Sequence, residues 1–365
     1  MQKKSLILVL ILTFVIGLFT FANAAPAKEN TFFEAGIKYF QEKNYTKAVD
    51  SFSRVIRDDP NNGIAYYNRA VSYTFQQKYP EAIADFTKTI ELEPNYINAY
   101  DARAKIYIAQ KNFDEAIKDY TAIIKIDPKQ ENAYLTRAAL YMQNKKNKEA
   151  LADYQKAIDN NPSSINTYIA RARSYLNQGN FDEAIKDYEK AISINPNNAQ
   201  LYLIRAGVYS ANKKYPEAIA DYSQAIKVDS KFADAYFMRG RTYLLTEQYK
   251  DALKDFSKTI SLVPNSDNAY FFRAITYARQ NKPEDAIKDY TKSIELNPKA
   301  FNSYNQRGFI HASLGNNQEA INDFTKAIEI NPKFAQAYIN RANVYQKMGN
   351  VAGAEKDLKM AESLK

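Results

Sequence analysis

The 365-residue chain contains no cysteine and no tryptophan, one histidine and only ten glycines. The missing cysteine excludes a disulfide framework, a thiol nucleophile, a zinc finger and an iron–sulfur site. The one histidine, His311, leaves no paired imidazole ligands of the kind most catalytic metal centres use, although it could still serve one acid–base step. So few glycines argue against an all-β chain full of tight turns. Gly-rich phosphate loops, nucleophile elbows and acidic metal clusters are lacking too, so no catalytic residue, metal or cofactor is expected. What is present is the composition of a folded chain: 45% hydrophobic and 13% aromatic residues, with 29 tyrosines and a formal charge of +9. Length alone allows two or three domains.

The N-terminus reads as a secretory signal. Lys3 and Lys4 precede an apolar stretch from Leu6 to Phe21, and Ala22-Asn23-Ala24 supplies the small-x-small pattern of a cleavage site. The alternative is an uncleaved membrane anchor, but sixteen residues fall short of the roughly 20 that span a bilayer. The expected order is a signal peptide over 1–24, a short linker over 25–28 and an exported chain, periplasmic or secreted. No cysteine follows the cleavage site, which excludes a lipoprotein. The mature chain keeps 48 basic against 41 acidic side chains, a charge of +7.

The rest is periodic. Pro60, Pro94, Pro128, Pro162, Pro196, Pro264, Pro298 and Pro332 fall on one 34-residue lattice interrupted only at Ser230. An alanine keeps the same period ten times, from Ala48 to Ala354. With the proline at position 32, units begin at 29, 63, 97, 131, 165, 199, 233, 267, 301 and 335. The second unit shows the pattern: Tyr66, Ala70, Tyr73, Ala82, Phe86 and Pro94 at positions 4, 8, 11, 20, 24 and 32. Positions 4, 7, 8 and 11 make one face of a helix, and positions 20, 23, 24 and 27 make one face of a second. Small residues at 8 and 20 let the two backbones approach, and the proline ends the second helix. One helical pair cannot cover its own apolar face, so neighbours must stack, which argues for one extended domain.

This pattern resembles the tetratricopeptide repeat, and the resemblance covers residues 29–365. It implies an all-α, right-handed superhelical solenoid of helix-turn-helix repeats. It also implies a concave groove, lined by positions 2, 5, 9 and 12 of the first helices, that holds extended peptides. At the ends, Thr31-Phe32-Phe33-Glu34 reads as a capping box. Glu355 and Glu362 stand where other units usually carry Ile or Leu, so the final helix reads as a polar cap.

Two charged series fall on the packed faces. Position 7 carries Arg69, Arg103, Arg137, Arg171, Arg205, Arg239, Arg273, Arg307 and Arg341. Position 23 carries Asp85, Asp119, Asp153, Asp187, Asp221, Asp255, Asp289, Asp323 and Asp357. Charges there are costly unless paired. Pairing within a unit joins Arg69 to Asp85 and satisfies every copy; pairing between units joins Asp85 to Arg103 and orphans Arg69 and Asp357. The first unit has Ala35 and Ser51 at these positions, losing both members together, which favours the pair within the unit.

The face opposite the packed stripe holds the candidate binding residues. Asn98, Asn132, Asn166, Gln200, Asn268, Asn302 and Gln336 stand at position 2, either as caps of helix starts or as hydrogen-bonding groups for a peptide backbone. Position 5 carries Leu135, Ile169, Leu203, Phe237 and Phe271, with Arg173 and Arg241 nearby at position 9. Apolar residues rimmed by charge mark a binding surface, and tighter packing between first helices is the alternative. The Lys and Asn set with which some relatives clamp a C-terminal carboxylate is not in register here.

The turn between the helices is rich in lysine, with Lys78, Lys111, Lys145, Lys146, Lys148, Lys213, Lys214 and Lys282. Acids that favour helix starts follow close behind, so this edge reads as solvated more than as a polymer-binding line. The expected function is an exported, non-enzymatic scaffold that binds a protein or extended peptide in the groove. The rival is a cell-envelope polymer (glycan) or membrane-surface binder using the lysine edge; binding that collapses with salt would mark it. Nucleic acid is not an expected partner, since no concentrated basic patch exists.

Overall fold

The computed structural model describes residues 29–364; the expected signal peptide and linker, and Lys365, lie outside them. All regular structure among the described residues is α-helical, in twenty helices, and none is long and apolar enough to cross a membrane. The described residues divide into two compact units, 29–180 and 181–364, with the division falling between the two helices of the fifth repeat.

The first unit holds α1 (Glu29–Gln41), α2 (Tyr45–Asp58), α3 (Gly63–Phe75), α4 (Tyr79–Leu92), α5 (Ile97–Ala109), α6 (Phe113–Ile126), α7 (Glu131–Gln143), α8 (Asn147–Asn160) and α9 (Ile165–Asn177). The second holds α10 (Phe181–Ile194), α11 (Ala199–Ala211), α12 (Tyr215–Val228), α13 (Ala233–Leu245), α14 (Tyr249–Leu262), α15 (Asp267–Arg279), α16 (Pro283–Leu296), α17 (Phe301–Ser313), α18 (Asn317–Ile330), α19 (Ala335–Lys347) and α20 (Val351–Ser363). Within each unit every helix packs mainly on its neighbours in sequence, as stacked helical hairpins must.

The hairpin closes where position 20 meets position 8. Ala82, Ala116, Ala150, Ala218, Ala252, Ala286 and Ala320 are fully buried, and the aromatic one turn on fills the space beside them. Glycine at position 8 accompanies phenylalanine at 24 in three repeats. A Cβ on Gly36 would lie 2.6 Å from the Phe52 ring, and one on Gly240 or Gly308 would lie 3.0 Å from Phe256 or Phe324.

Between repeats, an Asp or Asn at position 31 accepts a hydrogen bond from the backbone N–H two residues on, across the proline: Asp59 from Asn61, Asp127 from Lys129, Asn331 from Lys333. Asp229 makes the same bond to Lys231 at 2.9 Å, so the turn survives where Ser230 replaces proline.

The turn inside each repeat is built on one left-handed residue at position 15. Lys43, Gln77, Lys111, Lys145, Lys213, Glu247 and Asn281 have φ between 58° and 62°, and Gly179, Gly315 and Gly349 occupy the same position elsewhere. The next N–H then reaches back five residues, as from Asn112 to the Tyr107 carbonyl at 2.8 Å, and closes the helix end.

Two expectations at the ends meet different outcomes. Helix α1 already begins at Glu29, so Thr31 lies inside its first turn and does not precede it as a cap. Glu355 and Glu362 are exposed on α20.

The left-handed lysines are a removable strain, because a side chain there costs about 1–2 kcal/mol that glycine avoids. Lys145→Gly, at an exposed site, should raise unfolding stability by up to about 1 kcal/mol after glycine's own entropy cost, read from urea melts. A lower midpoint would contradict this account of the turn.

Candidate binding face

The charged ladder comes first, because it decides which residues remain free. Arg69, Arg103, Arg137, Arg205, Arg239, Arg273, Arg307 and Arg341 each make a two-bond fork with the aspartate sixteen residues on, within the repeat. Nε to Oδ2 runs 2.6–3.1 Å. Nη2 to Oδ1 runs 2.6–2.9 Å. The carboxylates, Asp85, Asp119, Asp153, Asp221, Asp255, Asp289, Asp323 and Asp357, are all buried. Arg171 on α9 and Asp187 on α10 belong to different compact units.

The third nitrogen reaches the other way. Nη1 donates to the residue sixteen positions earlier, at position 25 of the preceding repeat. Arg69 meets Ser53 at 3.1 Å, Arg103 meets Thr87 at 2.7 Å, and Arg307 meets Thr291 at 2.9 Å. Arg137, Arg239, Arg273 and Arg341 do the same with Thr121, Ser223, Ser257 and Thr325, and Arg171 with Gln155. One guanidinium therefore joins two helices of its own repeat to the second helix of the repeat before. The charge pair forms within the unit, Asp85 with Arg69 and not with Arg103, and a neutral bond ties across to the repeat before.

Tyrosines at positions 4 and 11 cover the guanidinium faces. Arg239 lies 5.7 Å from the Tyr236 ring centroid and 5.8 Å from Tyr243, and Arg69, Arg137, Arg273 and Arg341 are likewise flanked by two rings. The Asp85 bond holds the Arg69 guanidinium above its usual pKa against burial, and Asp289 does so for Arg273. Burial pushes the carboxyls of Asp119 and Asp255 upward, while the bonds from Arg103 and Arg239 pull them down. Arg69, Arg137, Arg239, Arg273 and Arg341, with all three nitrogens engaged and a ring on both faces, are spent on the fold; Arg103 and Arg307 have their nitrogens engaged under one ring.

On the opposite face, Asn98, Asn132, Asn166, Asn268 and Asn302 are all exposed. They are the second residue of α5, α7, α9, α15 and α17, inside the helix, so they do not cap it. Side-chain caps come from the residue just before helix starts: Asn62 to the Ala65 N–H, Asn198 to Gln200 and Ser266 to Ala269. The capping role for position 2 is thus corrected, because each first helix begins two residues earlier than that role requires.

Leu135, Ile169, Leu203, Phe237 and Phe271 are half-buried. Several lean on the aromatic at position 24 of their own repeat, with Phe237 5.9 Å from Phe256 and Phe271 5.8 Å from Tyr290. Leu135 packs beside Tyr154 and Leu203 beside Tyr222. Packing and surface thus share position 5. Arg173 and Arg241 are exposed, and Arg241 lies over the rings of Phe272 at 5.0 Å and Phe237 at 5.9 Å with no carboxylate beside it. Beneath this cluster the Tyr222 hydroxyl is buried without a partner, and burial raises its pKa to about 12.

Two clefts open between successive first helices. One, of about 280 Å³, has Asn98 and Asn132 in its lining; the other, of about 230 Å³, has Asn268, Phe271 and Asn302. Phe309, at position 9 of α17, is 55% exposed and escaped the sequence reading because glycine, alanine and asparagine also occupy that position. The Ser/Thr series at position 25 was missed too, although its period was visible. Lys214 pairs with Asp182 at 3.0 Å, while Lys111, Lys145 and Lys213 serve as left-handed turn residues, so part of the lysine edge is used by the chain itself. His311 is half-buried near Asn316, and no group of three or more potential metal ligands occurs among the described residues.

A family model described as "Tetratricopeptide repeat protein 21 N-terminal ARM repeat" matches residues 37–253, more than half of the chain. Tetratricopeptide-repeat models match residues 268–300, 289–322, 310–349 and 335–365. No curated protein matches the sequence. Similar solved structures include YrrB, a TPR protein with an unusual peptide-binding site, at 26% identity over 49% of this chain and 92% of that one, TM-score 0.42. A tetratricopeptide repeat protein from Parabacteroides merdae is 24% identical over 68% of this chain and 98% of that one, TM-score 0.44. The C-terminal part of a TPR repeat-containing protein from Cytophaga hutchinsonii is 19% identical over 65% of this chain and 97% of its own, TM-score 0.55, and shares the fold.

The ladder makes two graded demands. Asp255→Ala leaves Arg239 without its carboxylate and should cost about 3–5 kcal/mol. Thr87→Val removes only the acceptor between repeats and should cost about 1–2 kcal/mol. Urea unfolding of both variants checks the order, and equal losses would contradict the division of labour.

Proposed function

The chain belongs to the tetratricopeptide-repeat family, whose members generally mediate protein–protein interactions, and we propose that it is an exported scaffold holding a protein or extended peptide on its groove face. The observation that carries this reading is the contrast between two sets of polar groups. Seven ladder arginines have every nitrogen engaged within the fold. The amides Asn268 and Asn302, and the guanidinium of Arg241, stand exposed beside half-buried Phe237 and Phe271. Exposed donors among apolar side chains are what an extended backbone with alternating side chains can use. No covalent step is part of this mechanism; affinity is spread over several repeats.

Export is supported by Lys3 and Lys4, the apolar stretch that follows them and the small residues at Ala22 and Ala24. A mature protein beginning at Ala25, recovered from periplasm or medium, is the expected form.

Photo-crosslinking from residue 302 in the native envelope should capture a protein, and capture should persist in 1 M salt, where the Debye length is only about 3 Å. Combining Asn268→Ala and Asn302→Ala should weaken that partner's binding by about 1 kcal/mol per amide, with melting unchanged. Recovery of glycan or lipid without protein would overturn the reading.

A further inference from the structure

We propose that the cleft between α5 and α7 binds one neutral, polyhydroxylated ring of monosaccharide size, a function beyond peptide holding. The cleft is marked by Asp101, the only carboxylate at position 5 in the array; eight of the other nine repeats have an apolar or aromatic residue there. The stacking of repeats therefore does not require it. Its oxygens are nonetheless held in place. The hydroxyl of buried Tyr120 donates to Oδ1 at 3.0 Å, and Lys105 Nζ lies 2.7 Å from Oδ2. Each oxygen has two lone pairs, so each keeps one for a further donor.

A second acceptor waits in the same lining. Gln130 Oε1 is buried and has no hydrogen-bond partner. A buried acceptor left unmade is unfavourable, and turning the amide into the cleft would let a ligand O–H complete it. The mouth carries donors: Asn98 and Asn132 are exposed there. Ile97 and Ile123 give the cleft an apolar wall.

These groups restrict the ligand by charge, polarity and size. Asp101 and Lys105 neutralise each other, so neither an anion nor a cation is favoured. An apolar ligand would strand Gln130 Oε1 and the free lone pairs of Asp101. A hydroxyl donates one hydrogen bond and accepts two, so adjacent ring hydroxyls can serve the carboxylate, the orphan carbonyl and the amides together. The 280 Å³ volume is room for about nine waters, enough for one ring and too small for two. The second cleft does not share this chemistry: Phe271 stands at position 5, and Asp267 is already bonded to Asn297 at 2.7 Å.

The test is saturation-transfer NMR and calorimetry on the full exported protein. Its probes are the methyl glycosides of glucose, galactose, mannose and N-acetylglucosamine, with N-acetylglutamine methylamide as the peptide-like comparison. At least one glycoside should bind saturably in the millimolar range. Asp101→Asn should weaken it about tenfold, and Asn132→Ala, an exposed change that leaves folding intact, about threefold. A matching oligosaccharide that binds more tightly would assign the site to a glycan, and equal binding to a free sugar; both support the proposal. It is overturned if no glycoside saturates, if both variants bind as well as the parent, or if the glutamine amide binds with the same sensitivity to the variants.

Discussion

The fold hangs on one guanidinium repeated along the chain. Eight ladder arginines fork onto a buried aspartate of their own repeat, and seven of these, Arg239 among them, use the remaining nitrogen on the repeat before. A lysine could not do this, because a point charge on a flexible stem lacks the planar fork that fixes three directions at once. An isolated buried ion pair is weak support for stability, since desolvation offsets the attraction. Here the geometry changes the balance: two parallel bonds, a neutral third and aromatic cover leave few unsatisfied groups in the buried charge. The pair also fixes the relation of two helices and one neighbour, which apolar packing alone would leave free to slide.

That constraint explains the abundance of tyrosine. Rings at positions 4 and 11 stand one turn before and after the arginine, on the same helix face, and so cover it from both sides. Some phenols do more: Tyr100 donates to the Pro94 carbonyl and Tyr168 to Pro162, tying the first helix to the turn that precedes it. His311 breaks the pattern, leaving Arg307 with Tyr304 alone among its usual rings. The turn lysines are spent in a similar way, as left-handed residues where glycine would be easier.

Function falls to what the ladder does not consume. Positions 2, 5 and 9 of the first helices are unconstrained by the arginine geometry, and at 5 and 9 the repeats differ from one another. Asp101 in one repeat, Arg241 in another and Phe309 in a third give each stretch of the face its own chemistry. A regular frame with irregular groove residues suits partners recognised at several separated points.

Much of this was legible in the sequence because a 34-residue period multiplies every signal. Pro60 through Pro332 set the repeat boundaries, Ala48 through Ala354 set the close approach of helices, and the joint absence at Ala35 and Ser51 pointed to Arg and Asp as partners within one repeat. The reading failed where meaning depended on distance across repeats. Ser53 and Thr87 looked like ordinary helix-surface hydroxyls until stacking brought the next arginine to them. Asn98 and Asn302 looked like caps because a helix start is uncertain by a residue or two in sequence, and two residues separate them from the cap positions at Tyr96 and Ala300. Sequence alone determined the repeat, its helices and its charged frame, since these follow from local periodicity. Only the tertiary structure decided which polar groups are spent and which are free, because that depends on what neighbouring repeats place against them.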